Sequence, residues 1–292
     1  MTGLKLGMTG AFKQVFDRLP LTDFQHTQVS YFYKLKKVRK LDPPRTFNDK
    51  IHWLNLYGNI EQYSNLADKL AVREYVKEKV GEEHLNELLG VFQTADEIDL
   101  AKLPDCFVLK ATHGCGCTYL CKDKASADTE KINRLARTWL STNYYKKYRE
   151  RIYKNIPPQI VAEQYINPSM CQMEYKFMCF NGKALFVNTL IGYGEMDHPY
   201  SGDYYNMDWD RMPFSDGPRD PNPAPKPENL QEMIDISESL AEGIPFVRVD
   251  LMCENEGILF GEMTFTPQAG YLPFQPAEYD EKLGSLLKLP DY

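Results

Sequence analysis

The sequence lacks long apolar runs. Nowhere in its 292 residues do about 18 apolar residues follow one another without interruption, as a membrane-spanning helix requires. The N-terminal stretch MTGLKLGMTGAFKQVF also lacks the apolar core of a secretory signal peptide. We therefore expect a cytoplasmic protein without a transmembrane segment.

An excess of positive charge and a cysteine framework are missing as well. The chain carries 34 basic and 41 acidic residues, a net charge of −7, which argues against general nucleic-acid binding but allows local basic pockets. Its seven cysteines are an odd number without regular spacing, so we expect free thiols rather than disulfides. The hydrophobic fraction of 43% is typical of a globular chain with one large core or two smaller ones.

Residues 1–60 differ in character from the rest of the chain and are predicted to form a helical extension. The segment TFNDKIHWLNLYG begins with a capping residue, Thr46 or Asn48, and continues with helical periodicity. Residues 31–41 mix aromatic and basic side chains. Such a segment could contact an anionic polymer or a membrane surface; the alternative is a helix whose lysine stems cover apolar surface.

The stretch from Pro245 to Gly270 carries charges where strands usually carry apolar side chains. Period-two alternation predicts two strands joined by a tight turn. The first strand is predicted to hold Val247, Val249 and Leu251 on one face and Arg248, Asp250 and Met252 on the other, and the second strand to hold Ile258, Phe260, Glu262 and Thr264 on one face.

The turn between these strands decides which side chains meet. A three-residue loop, 255–257, is favoured because Gly257 suits the left-handed position of such a loop. This loop sets Glu254 opposite Ile258, Asp250 opposite Glu262 and Arg248 opposite Thr264. A two-residue loop would instead shift the pairing by one residue and send the two acids to opposite faces.

Asp250 and Glu262, if directly opposed, would repel each other at a Cβ separation of about 4.5–5.5 Å. A divalent cation would remove this repulsion, and carboxylate oxygens suit Mg²⁺, which shares its shell with waters and substrate phosphates. The alternative is a surface hairpin whose acids are solvated. On the metal hypothesis, neutralising either acid relieves a repulsion and leaves the protein folded.

A strand over 107–111 is predicted to carry Lys110 into a glycine-containing loop. Gly114 and Gly116 allow backbone N–H groups to turn toward an anion, and Lys110 adds a charge at the root of the loop. The spacing is not that of a Walker A loop. The same loop offers His113, Cys115, Cys117 and Cys121 as zinc ligands, a less favoured alternative because all four lie within nine residues.

Three further segments carry candidate residues. A helix from Asn65 to Gly81 places Lys69 and Arg73 on one polar stripe, with solvation as the default interpretation. A helix over about 129–153 precedes a buried strand, IVAEQYIN, whose end could hold an adenine through backbone groups of residues 163–166. The Asn181-Gly182 turn predicts a hairpin with Glu174, Lys176 and Met178 on one face and Tyr175, Phe177 and Cys179 on the other.

Taken in order, Lys110 before a glycine loop, EQYI, E-x-K, R-x-D and E-x-T-x-x-P resemble the ATP-grasp superfamily. The segments ADKLAVREYV, FVLKATHG, YKFMCFNGK, FVRVDL and GEMTFTP are similar to the TupA-like ATP-grasp proteins of bacterial surface-polysaccharide clusters. The resemblance runs from about Thr46 to Pro290. It implies an α+β ATP-grasp fold in which two α+β subdomains, about 61–160 and 161–292, grip ATP behind the helical extension.

The resemblance also implies roles for individual residues. The implied cofactor-binding set for ATP is Lys110, His113, Gly114, Gly116, Glu163, Gln164, Tyr165, Ile166, Glu174 and Lys176. The implied Mg²⁺ ligands are Asp250 and Glu262. Thr264 stands where the superfamily pattern has asparagine, and its hydroxyl can still bind Mg²⁺ or orient one of its waters. Arg248 and Lys176 are the implied catalytic residues, Arg248 as the partner of an oxyanion.

The implied reaction is ATP-dependent ligation. A carboxylate attacks the γ-phosphate, and the acyl phosphate then meets an amine to form an amide. The resemblance suggests a uronic-acid carboxyl on a nucleotide sugar, lipid-linked unit or glycan as one substrate and an amino acid as the amine. The alternatives are a sugar or small-molecule kinase with the same ATP site, and a nucleotide-binding module without turnover.

Overall fold

The computed structural model describes residues 19–35, 41–166, 173–191, 202–254 and 257–290. The helices are α1 Asp23–Leu35, α2 Phe47–Tyr57, α3 Ser64–Ala67, α4 Val72–Lys79, α5 Thr129–Ser141, α6 Tyr144–Tyr148, α7 Leu230–Leu240 and α8 Glu278–Leu286. The strands are β1 Leu88–Phe92, β2 Phe107–Ala111, β3 Thr118–Cys121, β4 Ile160–Gln164, β5 Met173–Phe180, β6 Lys183–Ile191, β7 Asp203–Tyr205, β8 Arg211–Ser215, β9 Phe246–Glu254 and β10 Gly257–Thr264.

The described strands form two antiparallel sheets. The first has the order β1-β4-β2-β3, and the second the order β10-β9-β5-β6-β7-β8. In the first sheet, Phe107 and Leu109 pack with Ile132 and Trp139 of α5. Val108 and Lys110 alternate with these residues and therefore point to the opposite face of the sheet.

The second sheet has a mainly apolar face and a mixed face. The apolar face packs on α7, with Phe177 and Val249 among its completely buried residues. On the mixed face, Phe47 of α2 and Leu283 of α8 cover one end of the sheet. The remaining part of this face carries charged side chains. This α+β architecture agrees with the fold class expected from the sequence.

Several predicted elements are confirmed at their predicted positions. Strand β2 spans the predicted residues, and the β5–β6 hairpin turns at Asn181 and Gly182, both with positive φ. Thr46 caps α2, because its hydroxyl accepts a hydrogen bond from the N–H of Asp49 while the Asp49 carboxylate accepts one from the N–H of Thr46.

Two predicted helices are wrong in extent. The helix expected over 65–81 breaks into α3 and α4, because the Asp68 carboxylate accepts hydrogen bonds from the N–H groups of Leu70 and Ala71. The helix expected over about 129–153 divides into α5, α6 and a 3₁₀ turn, Arg151–Tyr153, with Asn143 capping α6. Side chains that bond nearby backbone groups compete with helix continuation in this way.

Strand β7 is short and ends at Tyr205. The division into an extension, 1–60, and two subdomains stays a prediction. Within the part of the chain that the structure describes, no helix has the length and apolar character needed to cross a bilayer.

Candidate active site

Five side chains stand in one row across the mixed face of the second sheet. Successive strand pairings join Glu262 to Asp250, Asp250 to Lys176, Lys176 to Asn188 and Asn188 to Tyr204. Directly paired residues point to the same face, and neighbouring strands lie about 4.7–4.9 Å apart. The row therefore brings two acids, a lysine, an amide and a phenol into one continuous strip.

The predicted register of the β9–β10 hairpin is confirmed at the charged positions. Asp250 pairs with Glu262, and Arg248 pairs with Thr264. The predicted pairing nearer the turn is wrong, because Glu254 pairs with Gly257 rather than with Ile258. Residues 255 and 256 of the predicted loop lie outside the described residues.

A β-bulge at Gly261 explains both results. The pairing shifts by one residue between Phe260, which lies opposite Leu251, and Glu262, which lies opposite Asp250. The extra residue changes the face to which the following side chains point. Ile258 and Phe260 consequently pack in the apolar core, so the prediction that they share a face with Glu262 is wrong.

Arg248 holds the acids of this hairpin together. Its Nε donates to Asp250 Oδ1 and its Nη2 to Asp250 Oδ2, both at 2.6 Å. Nη2 also donates to Glu262 Oε1 at 3.3 Å and to Thr264 Oγ1 at 3.1 Å, while the Thr264 hydroxyl donates to Glu262 Oε1 at 2.9 Å. Burial would lower the pKa of Arg248, but Asp250 and Glu262 outweigh burial and raise that pKa.

Lys176 lies on the other side of Asp250. Its Nζ is 2.8 Å from Asp250 Oδ2 and 2.8 Å from Glu174 Oε2. Glu174 is 8% exposed, and burial raises its pKa above the ordinary value. Glu174 and Lys176 therefore lie in a network of buried charges and not at a solvated surface.

Lys69 is a site residue that the sequence interpretation left as solvated. It lies in the turn between α3 and α4, where its Nζ donates to the Gly114 carbonyl at 2.9 Å and stands 3.6 Å from Glu262 Oε2. Burial would raise the pKa of Glu262, but Lys69, Arg248 and Lys176 outweigh burial and lower it to about 2. The like charge of Lys69 and Arg73, four residues apart, was the available signal that anions lie nearby.

A second cluster of charges lies on the first sheet. Glu163 of β4 accepts a hydrogen bond from Lys110 Nζ at 2.7 Å and stands 3.6 Å from Arg73 Nη1. These side chains and Lys69 line a cavity of about 10 Å³ together with Gly261 of the second sheet. Such a volume holds about one water molecule. The cavity shows that the bulge faces Lys110 and Glu163 across the space between the sheets.

The glycine loop between β2 and β3 is fixed by packing against α5 and α6. His113 Nε2 donates to the Trp139 carbonyl at 3.0 Å, so its imidazole points toward α5. A Cβ on Gly114 would meet the Tyr144 ring at 2.5 Å, which explains why glycine stands there. Gly116 adopts φ +72°, the left-handed conformation predicted to turn N–H groups toward an anion.

The predicted adenine hinge, residues 163–166, begins in the last two residues of strand β4 and continues beyond it. The backbone N–H of Gln164 donates to the Glu87 carbonyl, and its carbonyl accepts from Asn86 Nδ2. Ile166 forms a small apolar cluster with Met252 and Leu259 of the second sheet. Apolar walls of this kind suit a planar base. The adenine contacts of Glu163, Gln164, Tyr165 and Ile166 stay predictions.

The donor set at the hairpin fits a magnesium ion. Asp250, which is 0% exposed, and Glu262 offer carboxylate oxygens on paired strands, and Thr264 adds a hydroxyl within hydrogen-bond distance of Glu262. Oxygen-only sets with few protein ligands are typical of Mg²⁺ bound together with phosphates and water.

Two sheets that enclose a charged strip, with a glycine loop on one side and paired acids on the other, define an ATP-grasp protein. The family model for TupA-like ATPgrasp proteins matches residues 49–288. The chain therefore belongs to the TupA-like ATP-grasp family, and its expected class, an ATP-grasp enzyme, is confirmed.

Solved structures with a partial likeness include ligases of low sequence identity. The D-alanine–D-alanine ligase of Bacillus anthracis complexed with ATP is 13% identical, with a TM-score of 0.46, over 90% of this chain and 81% of that chain. The L-amino acid ligase of Bacillus licheniformis is 15% identical, with a TM-score of 0.44, over 78% and 49% of the two chains. No curated protein matches the sequence significantly.

Proposed function

We propose that this protein is an ATP- and Mg²⁺-dependent carboxylate–amine ligase that forms an amide through an acyl phosphate. The observation that carries the proposal is the arrangement at the hairpin. Two opposed carboxylates, Asp250 and Glu262, share the guanidinium of Arg248. Lys176 adds a second cation, 2.8 Å from Asp250. Phosphoryl transfer to an anionic acceptor needs concentrated positive charge beside a metal site.

The residues divide into three groups. Lys110 and Lys176 are the proposed phosphate contacts, to which Lys69 is added because it joins the glycine loop to Glu262. Asp250, Glu262 and Thr264 would hold Mg²⁺, which when bound supplies charge neutralisation on the phosphates. The proposed adenine site is the end of β4, near the apolar cluster that includes Ile166.

The cavity of about 10 Å³ between the sheets has no room for a nucleotide. Binding therefore requires Lys110 to exchange Glu163 for a phosphate and the sheets to separate locally. Arg73, 3.6 Å from Glu163, remains to compensate that carboxylate during the exchange. The loop containing Gly114 and Gly116 then closes together with α5 and α6, against which it packs, and keeps water from the reactive intermediate.

In the first step, an oxygen of the acceptor carboxylate forms a bond to the γ-phosphorus, and the bond from that phosphorus to ADP breaks. In the second step, an uncharged amine forms a bond to the carbonyl carbon, phosphate leaves, and the amine proton passes to solvent. The positions of Arg248 and Lys176 suit stabilisation of the negative charge that develops on the carbonyl oxygen.

The proposed substrates are a uronic-acid carboxyl and an amino acid or other amine, with glycan modification in capsule or surface-polysaccharide biosynthesis as the context. Support comes from the family to which the chain belongs. The need for ATP favours a cytoplasmic location. A peripheral membrane contact through residues 31–41 is part of the proposal, and Phe32 on α1, which is 54% exposed, supports it.

The test is an assay of purified protein with ATP, Mg²⁺, pooled uronic acids and pooled amino acids. The proposal predicts ADP, phosphate and an amide that mass spectrometry detects only when acid and amine are both present. Formation of a phosphorylated sugar would instead identify a kinase. Nucleotide binding without ADP formation under any combination would refute catalysis.

A further inference from the structure

A cavity of about 110 Å³ lies on the mixed face of the second sheet, next to the proposed reaction centre. Lys176 and Arg248 form part of its wall, and Asn188, Tyr204, Asp216 and Gln268 form another part. Cavities of about 150 Å³ accept benzene, so this one has room for about four to six non-hydrogen atoms. Its size suits a small acid or the end of a larger one.

The cavity is electrically polarised. Lys176, Asn188 and Tyr204 are paired on three neighbouring strands, so the row moves away from the lysine in steps of about 4.7–4.9 Å. Beyond the row, the Tyr204 hydroxyl donates to Asp216 Oδ2 at 2.9 Å. Asp216 is 4% exposed. One end of the cavity therefore has two cations, and another has a buried carboxylate held in place by a phenol.

The wall beside Arg248 has a constrained backbone. Gln268 and Ala269 have φ values of +45° and +52°, and Gly270 follows with +75°. Left-handed conformations are unfavourable for residues with a Cβ, and they cluster at sites where a ligand needs a fixed wall. Pro267 and the exposed Gln268 line the cavity from this turn.

We propose that this cavity binds the carboxylate-bearing substrate, and that Asp216 selects acids whose far end donates a hydrogen bond, from a hydroxyl or an ammonium group. The inference rests on the proposed ligase function. Lys176 and Arg248, which Asp250, Glu174 and Glu262 also contact, offer only hydrogen-bond donors to the cavity. A carboxylate can accept from these donors and an ammonium ion cannot, so the amine substrate does not enter in the same orientation. Asp216 can only accept when ionised, and it therefore favours donors.

The test uses two matched series of acids as probes, with calorimetry in the presence of Mg²⁺ and a non-hydrolysable ATP analogue. Propionate, L-lactate and L-alanine differ at the carbon next to the carboxylate. Propionate, 3-hydroxypropionate and 3-aminopropionate differ one carbon further along and, like the first series, have no more than six non-hydrogen atoms. We expect the acids with a donor in at least one series to bind about tenfold or more tightly than the acid without one.

Asp216→Asn distinguishes the two kinds of donor. An asparagine oxygen still accepts from a hydroxyl, so a hydroxy acid should lose less than about tenfold in affinity, whereas an amino acid should lose about 10- to 100-fold. The acids without a donor should be unaffected, and so should nucleotide affinity. Asp235→Asn, at an exposed acid of α7, is the matched control and should change none of these values.

Tyr204→Phe and Gln268→Ala provide independent variants if Asp216→Asn fails to fold. Tyr204→Phe should raise KM for the carboxylate a few fold and lower kcat/KM in proportion, because Asp216 loses the hydroxyl that donates to it. Equal affinity for all three acids of both series, absence of binding by every probe, or unchanged preference in Asp216→Asn would overturn the subsite. If Asp216→Asn still formed the amide with an unaltered KM for the carboxylate substrate, the proposed subsite would be overturned and the ligase function would stand.

Discussion

Asp250→Asn removes the charge that compensates two cations at once. The wild-type carboxylate accepts two hydrogen bonds from Arg248 at 2.6 Å and one from Lys176 at 2.8 Å, and the residue is 0% exposed. The asparagine amide can still accept through one oxygen, but its NH₂ group points a donor at the cations. The expectation that the substitution relieves a repulsion is wrong, since Arg248 and Lys176 already lie beside the acids.

Removing one partner of a buried ion pair costs about 3–5 kcal/mol, because the remaining charge stays uncompensated. Whole domains are stable by about 5–15 kcal/mol, so the variant should fold with a clear loss of stability. A change of 1 kcal/mol shifts Tm by roughly 2–4 °C in chains of 150–250 residues. We therefore expect Tm to fall by about 6 °C or more in the protein without nucleotide.

Glu262→Gln is the matched control, because it removes the other proposed metal ligand without removing the main partner of Arg248. The Glu262 side chain is 33% exposed, and its contacts to Lys69 and Arg248 are long, at 3.6 and 3.3 Å. Partly exposed pairs contribute about 1 kcal/mol or less. Urea denaturation of both variants shows whether Asp250→Asn relieves a repulsion or removes the charge that compensates Arg248 and Lys176. An Asp250→Asn protein as stable as the wild type would refute the reasoning about stability. Both variants should also lose Mg²⁺-dependent ATP turnover, because each removes a proposed metal ligand.

Three further predictions concern the surrounding cations. Lys110→Ala should raise the nucleotide Kd by about tenfold or more, the effect of losing a hydrogen bond to a charged group. Arg248→Met should leave ATP binding within a few fold but lower kcat and kcat/KM together by about 10²–10³. Lys69→Met should raise the pKa of Glu262 from about 2 toward its ordinary 4.5. Ionised Glu262 stabilises the fold above pH 4.5 and loses this effect as the pH falls toward 2, so the variant's unfolding free energy should fall less steeply there.

Each of these predictions has an opposing outcome. Unchanged nucleotide affinity would leave Lys110 as a structural partner of Glu163 alone. A destabilised Arg248→Met protein with normal kcat would remove Arg248 from the chemistry and reduce it to the partner of Asp250. An identical pH dependence of urea unfolding in Lys69→Met and wild type would show that Lys69 does not control the charge of Glu262.

Local sequence patterns predict much of the fold, because turns and strand alternation depend mainly on neighbouring residues. The Asn181-Gly182 turn and the alternation of Tyr175, Phe177 and Cys179 identify the β5–β6 hairpin and its core face, and the structure has both. The identities of Asp250 and Glu262 likewise indicate chemistry, because opposed acids in an apolar strand pair need a cation.

Lys69 is a residue whose environment in the folded protein such patterns do not predict. Helical periodicity placed it on a solvated stripe, but its environment is set by the Asp68 turn and by Gly114 and Glu262, which are far away in sequence. A pattern of apolar residues predicts which face is buried, and it contains no information on the tertiary partner of a polar side chain. Glu174 and Lys176 were identified only through the family resemblance, because alternation within the hairpin does not show which partners their face meets.

The opposition of Asp250 and Glu262 was predicted from two assumptions, a pairing of Glu254 with Ile258 and a regular ladder without a bulge. The structure contradicts both. The pairing of Glu254 with Gly257 is one residue out of the predicted register and, continued along a regular ladder, would place Glu262 on the core face. The bulge at Gly261 adds one residue and restores the acid to the charged face. A Cβ at this position would approach the Asp250 carbonyl oxygen to 3.1 Å, so glycine suits the close contact between the strands. The metal-site hypothesis therefore depends on a single glycine, whose role in the register period-two counting cannot detect.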